Sequence, residues 1–174
     1  MVVIKSKNFK LRQPTLKDTK DITKHINNKK IYRYTAHIPY PYTLEDAKEF
    51  INKVIKKDKK KKTLHLVIDI NNEVVGGISF EKLTNNHNAE IGYWLSEQYW
   101  NNGIMTEAVK QMVKYGFNKL KLKKILALVV KSNRGSIKVL KKADFKQKSL
   151  LKKHFKKDNK IYDIVIFEKL KYEV

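Results

Sequence analysis

The residues best placed to do chemistry lie where a strand-like segment meets a helix-like one. Glu90-Ile-Gly-Tyr-Trp-Leu95 is followed closely by Trp100-Asn-Asn-Gly-Ile-Met-Thr-Glu-Ala108. A strand that turns directly into a helix leaves backbone N–H groups unpaired at the helix start. Together with the helix macrodipole, these groups attract anions. Gly103 lets the backbone approach a phosphate closely and adopt unusual dihedrals. The same glycine also suits a plain turn before an amphipathic helix, so these residues alone leave both readings open. Other chemistries are excluded more simply. The chain has no cysteine, hence no disulfide framework, thiolate zinc site or cysteine nucleophile. His25, His37, His65, His87 and His154 are scattered without metal-ligand spacing, and each is read as a structural or surface residue, with no metal expected.

The elements that must hold this junction follow from periodicity. An extended segment, Phe9 to Gln13, ends at Pro14, and Thr15 and Asp18 offer N-cap chemistry for a helix to about Asn27, with Leu16, Ile22 and Ile26 as inner positions. Ile31 to Tyr42 reads as a tyrosine-rich loop, with Pro39 and Pro41 opposing regular structure. Thr43 and Asp46 start a second helix carrying Ala47, Phe50, Ile51, Val54 and Ile55 at helical spacing. It runs into the charged stretch Lys56 to Lys62, read as a solvated helix end and loop. Thr63 to Ile70 and Glu73 to Glu81 form a strand pair across Asn71-Asn72. Ala89 to Leu95 follows the polar turn Thr84 to Asn88 and completes an antiparallel meander.

The period then changes. Val109, Met112, Val113, Gly116, Phe117 and Leu120 share one helix face. Lys124 to Val130 reads as a buried strand, Ser136 to Lys142 as a short helix, and Lys160 to Leu170 as a late strand. This mixed order predicts an α/β (α+β) layer fold in a single domain over residues 1–174. A central, mostly antiparallel sheet of about six to seven strands is flanked by about four helices.

With 174 residues, the chain is long enough to bury a sizeable core without disulfide or metal staples. Its longest apolar stretch, Ile125 to Val130, is far short of the ~20 residues of a membrane span. The N-terminal Met1 to Ile4 is too short for a secretory apolar region, so a cytoplasmic location is expected. The net charge of +22 invites a nucleic-acid reading, but only three of the 39 basic residues are arginine (Arg12, Arg33 and Arg134). A reader of phosphates and bases uses more of that planar fork. The lysine bias fits the codon composition of an AT-rich genome, while attraction to ribosomal RNA or steering of a small anionic ligand stays open.

Four ordered segments carry a family resemblance: PYPYTLEDAKEFI at 39–51, EIGYWL at 90–95, YWNNGIMTEAV at 99–109 and NRGSIKVLKKADF at 133–145. Together they resemble the GNAT N-acetyltransferase superfamily, in the branch of the ribosomal-protein N-terminal acetyltransferases RimJ and RimL. The resemblance implies acetyl-CoA as donor, its pyrophosphate on the backbone of Asn101, Asn102, Gly103, Ile104, Met105 and Thr106. It implies a pantetheine arm between the strands at Tyr93 to Leu95 and Lys124 to Val130, bonded to the backbone of Trp94 and Leu95 and to Asn133. Arg134 is a candidate for the adenosine phosphate.

The acceptor amine must be neutral to attack, and an α-amine (pKa ~8) reaches that state far more readily than lysine (~10.4). The resemblance makes Glu90 the candidate base and the N–H of Trp94 or Leu95 the candidate oxyanion donor. A general-acid tyrosine common in the superfamily is replaced by Leu140; the branch's pattern then offers Ser136 either as proton donor or as a helix N-terminal or CoA-contact residue. Asp144 stands where the branch carries a glycine, putting the local turn in question. Tyr32, Arg33, Tyr34, Tyr40 and Tyr42 are the candidate acceptor-binding residues. The absence of cysteine fits direct transfer in a ternary complex. The expected acceptor is a protein N-terminal α-amine, with a small-molecule amine as alternative. Ribosome or RNA association through the basic surface, no membrane, and a monomer or homodimer complete the expectations. A non-catalytic basic RNA-binding protein is the competing class.

Overall fold

The computed structural model describes residues 2–59, 62–84 and 87–172. Lys60 and Lys61 of the expected charged run, Asn85 and Asn86 of the polar turn, and Met1, Glu173 and Val174 lie outside the described residues. One mixed sheet runs in the order β1-β2-β3-β4-β5-β6-β8-β7. Its strands are β1 (Val3–Lys5), β2 (Lys10–Arg12), β3 (Leu64–Ile70), β4 (Glu73–Glu81), β5 (Asn88–Leu95), β6 (Lys124–Val130), β7 (Lys146–Lys157) and β8 (Lys160–Leu170). Every neighbouring pair is antiparallel except β5 with β6, which is parallel.

Helices cover both faces of this sheet. α1 (Thr19–Ile26), α2 (Lys29–Tyr34) and α3 (Leu44–Lys59) close one core, in which Ile22, Ile26, Ile31, Ala47 and Ile51 meet Val67 and Val74. α4 (Ile104–Asn118) and α5 (Arg134–Lys142) belong to the other core, where Met105, Val109, Met112 and Leu140 join Ile78, Phe80, Ile125 and Phe167. Each such apolar side chain, fully buried, contributes roughly 1.5–3 kcal/mol. α4 comes close to the sheet because Gly116 has no side chain: a Cβ there would lie 2.9 Å from the Phe80 ring.

Local chemistry sets the helix starts. Thr43 and Asp46 form a reciprocal capping box, Thr43 N donating to Asp46 Oδ2 (2.8 Å) and Asp46 N to Thr43 Oγ1 (3.1 Å). The Thr15/Asp18 start also forms a capping box, Thr15 N donating to Asp18 Oδ2 (2.7 Å), but it opens a shorter element first. Leu16–Asp18 is a 3₁₀ turn that precedes α1, and it leaves Leu16 exposed instead of inside. Asp18 is recruited into a buried ion pair with Arg12 (2.7 Å).

Three further expectations are corrected. Lys29–Tyr34 is a short helix and not loop, because the Asn28 side chain accepts from Lys30 N (2.7 Å) and Ile31 is buried. Irregular chain begins only after it. Among the described residues the sheet has eight strands and five α-helices flank it. The strands absent from the sequence reading are β1, only three residues long, and β7, an outer edge strand with mostly exposed residues. The lysines of β7 produce no alternation of apolar and polar residues, although lysine is a usual guard of an unpaired edge.

Candidate active site

The site is a wedge opened by the sheet itself. β5 pairs with β4 along its length, from Glu90 opposite Glu81 to Leu95 opposite Gly76. Its parallel pairing with β6 covers only Asn88, Ala89 and Glu90, against Lys124, Ile125 and Leu126. Beyond that point Ala127 to Val130 continue to pair with β8, so the facing edges of β5 and β6 part company. Because Ser96 N donates to Val75 O (2.9 Å), strand alternation turns the Trp94 backbone toward β4 and the Tyr93 and Leu95 backbone toward the wedge. Leu95 O accepts from Trp100 Nε1 (2.7 Å), which fixes the exit of the strand.

At the wide end stands the start of α4. Asn101 and Gly103 both take left-handed backbone, φ 62° and 75°. Gly103 is the N-cap and provides no side-chain cap to the first helical N–H groups. The first intrahelical bond runs from Glu107 N to Gly103 O (3.0 Å), so the N–H groups of Ile104, Met105 and Thr106 face outward at the positive end of the helix. Nothing lies within 4 Å of a Cβ built on Gly103; its left-handed φ favours glycine and the space beside it is open. Asn101, Gly103, Ile104, Met105 and Thr106 line the cleft, as do Arg134, Lys138 and Lys142 on α5. Asn102 does not.

α5 forms the opposite wall. Asn133 caps it, Oδ1 accepting from Ser136 N (3.1 Å). The Ser136 hydroxyl lies 2.8 Å from Tyr93 Oη, a bond that spans the wedge from β5 to α5. Burial pushes the Tyr93 phenol above its ordinary pKa, keeping it neutral. The sequence reading placed Tyr93 at the site for its backbone and missed its hydroxyl; 43 residues separate the two partners, so spacing carries no trace of the pair. Leu140, in the superfamily's tyrosine position, is fully buried in the core. Asp144 takes φ 60°, the left-handed conformation a glycine would supply there, and Phe145 N bonds back to Leu140 O (3.0 Å). The departure therefore leaves the end of α5 intact.

The other face of β4 and β5 lies beneath α1 and α3. Rows run across it: Gly77 beside Trp94, Ser79 beside Gly92, Glu81 beside Glu90. Trp94 lies over Gly77, where a Cβ would approach its Nε1 to 2.6 Å. Above Gly92 a Cβ would meet only Ser79 Oγ, at 3.6 Å, so the floor is recessed between an indole and two carboxylates. Glu90 pairs with Lys82 through Oε2 (2.7 Å) and keeps about a quarter of its side chain exposed.

The tyrosine-rich segment divides. Arg33, Tyr34 and Tyr42 line the cleft, Tyr42 being almost wholly buried in the α1/α3 core, where burial pushes its phenol up to about 12. Tyr32 and Tyr40 are not in the lining. Tyr32 packs against Tyr40 with the two rings tilted by 46° and donates to Asp158 (2.7 Å) in the β7–β8 turn. Beside it Lys157 donates to Thr35 O (2.7 Å) and Ile38 O (3.2 Å) and sits 3.8 Å above the Tyr32 ring. The hairpin tip is thus clasped to the chain after α2. The whole cleft is continuous, about 1440 Å³, larger than the ~300–1,000 Å³ of a usual single-ligand pocket. Among the described residues no cluster of three His, Asp or Glu could hold a metal ion, and no helix is long and apolar enough to cross a membrane.

Comparison with known proteins identifies the family. A sequence profile for the acetyltransferase (GNAT) domain matches residues 8–146. The uncharacterized N-acetyltransferase p20 of Bacillus licheniformis is 27% identical over 176 residues, spanning 99% of this chain and 98% of that protein. The microcin C7 self-immunity acetyltransferase MccE, solved with acetyl-CoA and AMP, superposes with a TM-score of 0.87 at 25% identity, over 95% of this chain and 93% of MccE. RimL, the ribosomal L7/L12 alpha-N-protein acetyltransferase solved with coenzyme A, shares the fold with a TM-score of 0.91 at 18% identity, over 97% and 98% of the two chains. The chain belongs to the GNAT acetyltransferase family and is an N-acetyltransferase that uses acetyl-CoA.

Proposed function

We propose that this member of the GNAT acetyltransferase family acetylates the N-terminal α-amine of a protein by direct transfer within a ternary complex. The observation that carries the reading is a single cleft lined both by the start of α4 and by the recessed floor under α1 and α3. Its residues suit acetyl-CoA: outward N–H groups and basic side chains at one end, and an unpaired strand edge along the middle. When bound, acetyl-CoA supplies an activated acyl group on a thiol leaving group. Ile104, Met105 and Thr106 N–H, with Asn101 and Gly103 in left-handed backbone, would hold its pyrophosphate. Arg134 and its α5 neighbours neutralise the remaining phosphate charge. The Tyr93 and Leu95 backbone, together with Asn133, would hold the pantetheine arm, and the same amides would offer donors to the reacting carbonyl oxygen. Of the two candidate oxyanion donors, Trp94 and Leu95, this orientation favours Leu95, and it adds Tyr93.

Glu90 acts as base for the incoming ammonium, through the space above Gly92. The Ser136–Tyr93 hydroxyl pair provides a proton to the departing sulfur. A thiol of pKa ~8.5 needs little such help, and an α-amine of pKa ~8 needs little base strength. Both considerations favour an α-amine over a lysine side chain. RimL's fold and its protein N-terminal substrate point the same way.

A second reading, a small-molecule amine, draws on a different observation. Tyr32 and Lys157 clasp the hairpin tip to the chain after α2, beside Tyr34 in the cleft lining, and MccE is a microcin C7 self-immunity acetyltransferase. Association with RNA through the exposed lysines of β7 belongs to the first reading; its test is a steep salt dependence of binding.

Calorimetry with acetyl-CoA at about 0.15 M salt, with ATP as control polyanion, comes first, followed by mass spectrometry of free-N-terminal peptides and small amines. Micromolar affinity for acetyl-CoA with much weaker ATP binding, and acetylation of peptide α-amines, supports the proposal. Equal weak binding of both nucleotides overturns it. Glu90→Gln lowers turnover by ~100-fold or more with acetyl-CoA affinity nearly unchanged; retained turnover removes Glu90 from the reaction.

A further inference from the structure

Under the same recess lies a chain of ionisable groups that the reaction outlined above does not use. His65, on β3, is buried, with Nδ1 2.9 Å from Asp58 Oδ1 and Nε2 2.6 Å from Glu81 Oε1. Asp58, at the end of α3, also accepts from His65 N (2.9 Å) and Thr63 Oγ1 (2.6 Å). A neutral imidazole donates through one nitrogen only. With a carboxylate at each nitrogen, the ring is satisfied as an imidazolium. Burial opposes that charge, and the two carboxylates outweigh it, pushing the pKa up to about 9 and holding Asp58 and Glu81 below their ordinary values.

Three such groups under one cleft are costly to bury, and apolar replacements of similar volume often stabilise a fold equally well or better. Their placement has a further cost. Glu81 stands directly opposite Glu90 on the cleft face of the sheet, and like charges in that position repel. This occurs in a chain with 39 basic and only 17 acidic residues. His65 draws on one Glu81 oxygen and Lys82 on one Glu90 oxygen, and the two side chains remain about a third exposed to the cleft. The arrangement tolerates repulsion in order to keep two anions beside the recess at Gly92.

We propose that Glu81 is an acceptor-binding residue, which takes the cationic nitrogen of the incoming amine beside Glu90, and that His65 and Asp58 are positioning residues that fix its carboxylate. The acceptor therefore docks as an ammonium ion. This deepens the proposed function and rests on it.

The test measures steady-state acetylation, by wild type, Glu81→Gln, His65→Gln and Glu90→Gln, of two probes: a hexapeptide with a free α-amine, and spermidine. Acetyl-CoA binding and thermal unfolding are measured on each protein. For a probe that wild type acetylates, Glu81→Gln raises KM about tenfold or more, as expected for loss of a charged hydrogen bond, with kcat within a few-fold and acetyl-CoA affinity unchanged. His65→Gln raises the same KM by a smaller factor. A purely structural part for His65 would lower its unfolding temperature and active fraction while leaving KM alone. An unchanged KM in Glu81→Gln overturns this inference and leaves the acetyltransferase reading standing. Failure of wild type to acetylate either probe overturns the acceptor reading and this inference with it.

Discussion

Raising the pH from 6 to 9.5 should remove a stabilisation that His65 supplies to the fold. Only about a tenth of its side chain is exposed, and it is held between Asp58 and Glu81 at 2.9 and 2.6 Å. Burial opposes protonation, but the hydrogen bonds to Asp58 and Glu81 prevail and lift the pKa from 6.5 to about 9. A basic group raised in the folded state stabilises fully below its unfolded pKa, and that contribution disappears as pH climbs through the folded value. The gap of about 2.5 between those two values, at ~1.4 kcal/mol per pKa unit, corresponds to about 3 kcal/mol. Asp58 and Glu81 are depressed, against burial, by their bonds to His65. Their share is lost at the other end, as pH falls through the carboxylate range.

The assay is urea unfolding of wild type and His65→Gln at pH 6 and pH 9.5. Lysine and tyrosine titrations are common to both proteins and cancel in the comparison. The wild-type advantage should shrink by about 2–3 kcal/mol between the two pH values, and NMR titration of His65 should show a midpoint near 9. An advantage that does not change with pH, or a midpoint at or below 6.5, would refute the charged bridge.

Gly116→Ala should destabilise by ~1–3 kcal/mol in urea unfolding, since its Cβ meets the Phe80 ring at 2.9 Å; wild-type stability in that variant would contradict the close helix–sheet contact. Gly103→Val places a β-branched residue at φ 75°, where L-residues lose roughly 1–2 kcal/mol. Calorimetry should show loss of acetyl-CoA binding with the circular dichroism spectrum retained, and normal affinity would exclude the α4 start as the phosphate site. Tyr93→Phe removes the 2.8 Å bond to Ser136. Turnover should fall about tenfold or more if the hydroxyl pair delivers the proton, with unchanged acetyl-CoA affinity, and full turnover would remove the pair from the reaction.

Local patterns alone determined much of this protein. Helical spacing from Val109 to Phe117 marked α4, the Thr43/Asp46 pair marked α3, and the alternating segments about Asn71-Asn72 marked the β3–β4 hairpin. Each of these is decided by neighbours within a few residues: capping bonds, turn dihedrals and one-sided burial. The four ordered segments also carried the family and its cofactor. The Leu16–Asp18 turn and the short α2 were misread because tertiary contacts decided them: Arg12 claims the Asp18 carboxylate, and Ile31 is buried against α1 and α3. β7 escaped notice because both of its faces are largely solvated, so burial imposed no period on its lysines.

Only the tertiary structure decided which side chains share the site. Tyr32 and Tyr40 turn to the hairpin clasp while Arg33 and Tyr34 enter the cleft, a division that depends on the seating of a short helix. Tyr93 meets Ser136, and His65 joins Asp58 to Glu81, through the separation of β5 from β6 and the register of β3 with β4. Hydrogen bonds act over about 3 Å, whereas the chain brings their partners together from many residues apart; spacing in the sequence cannot encode a contact that the sheet creates.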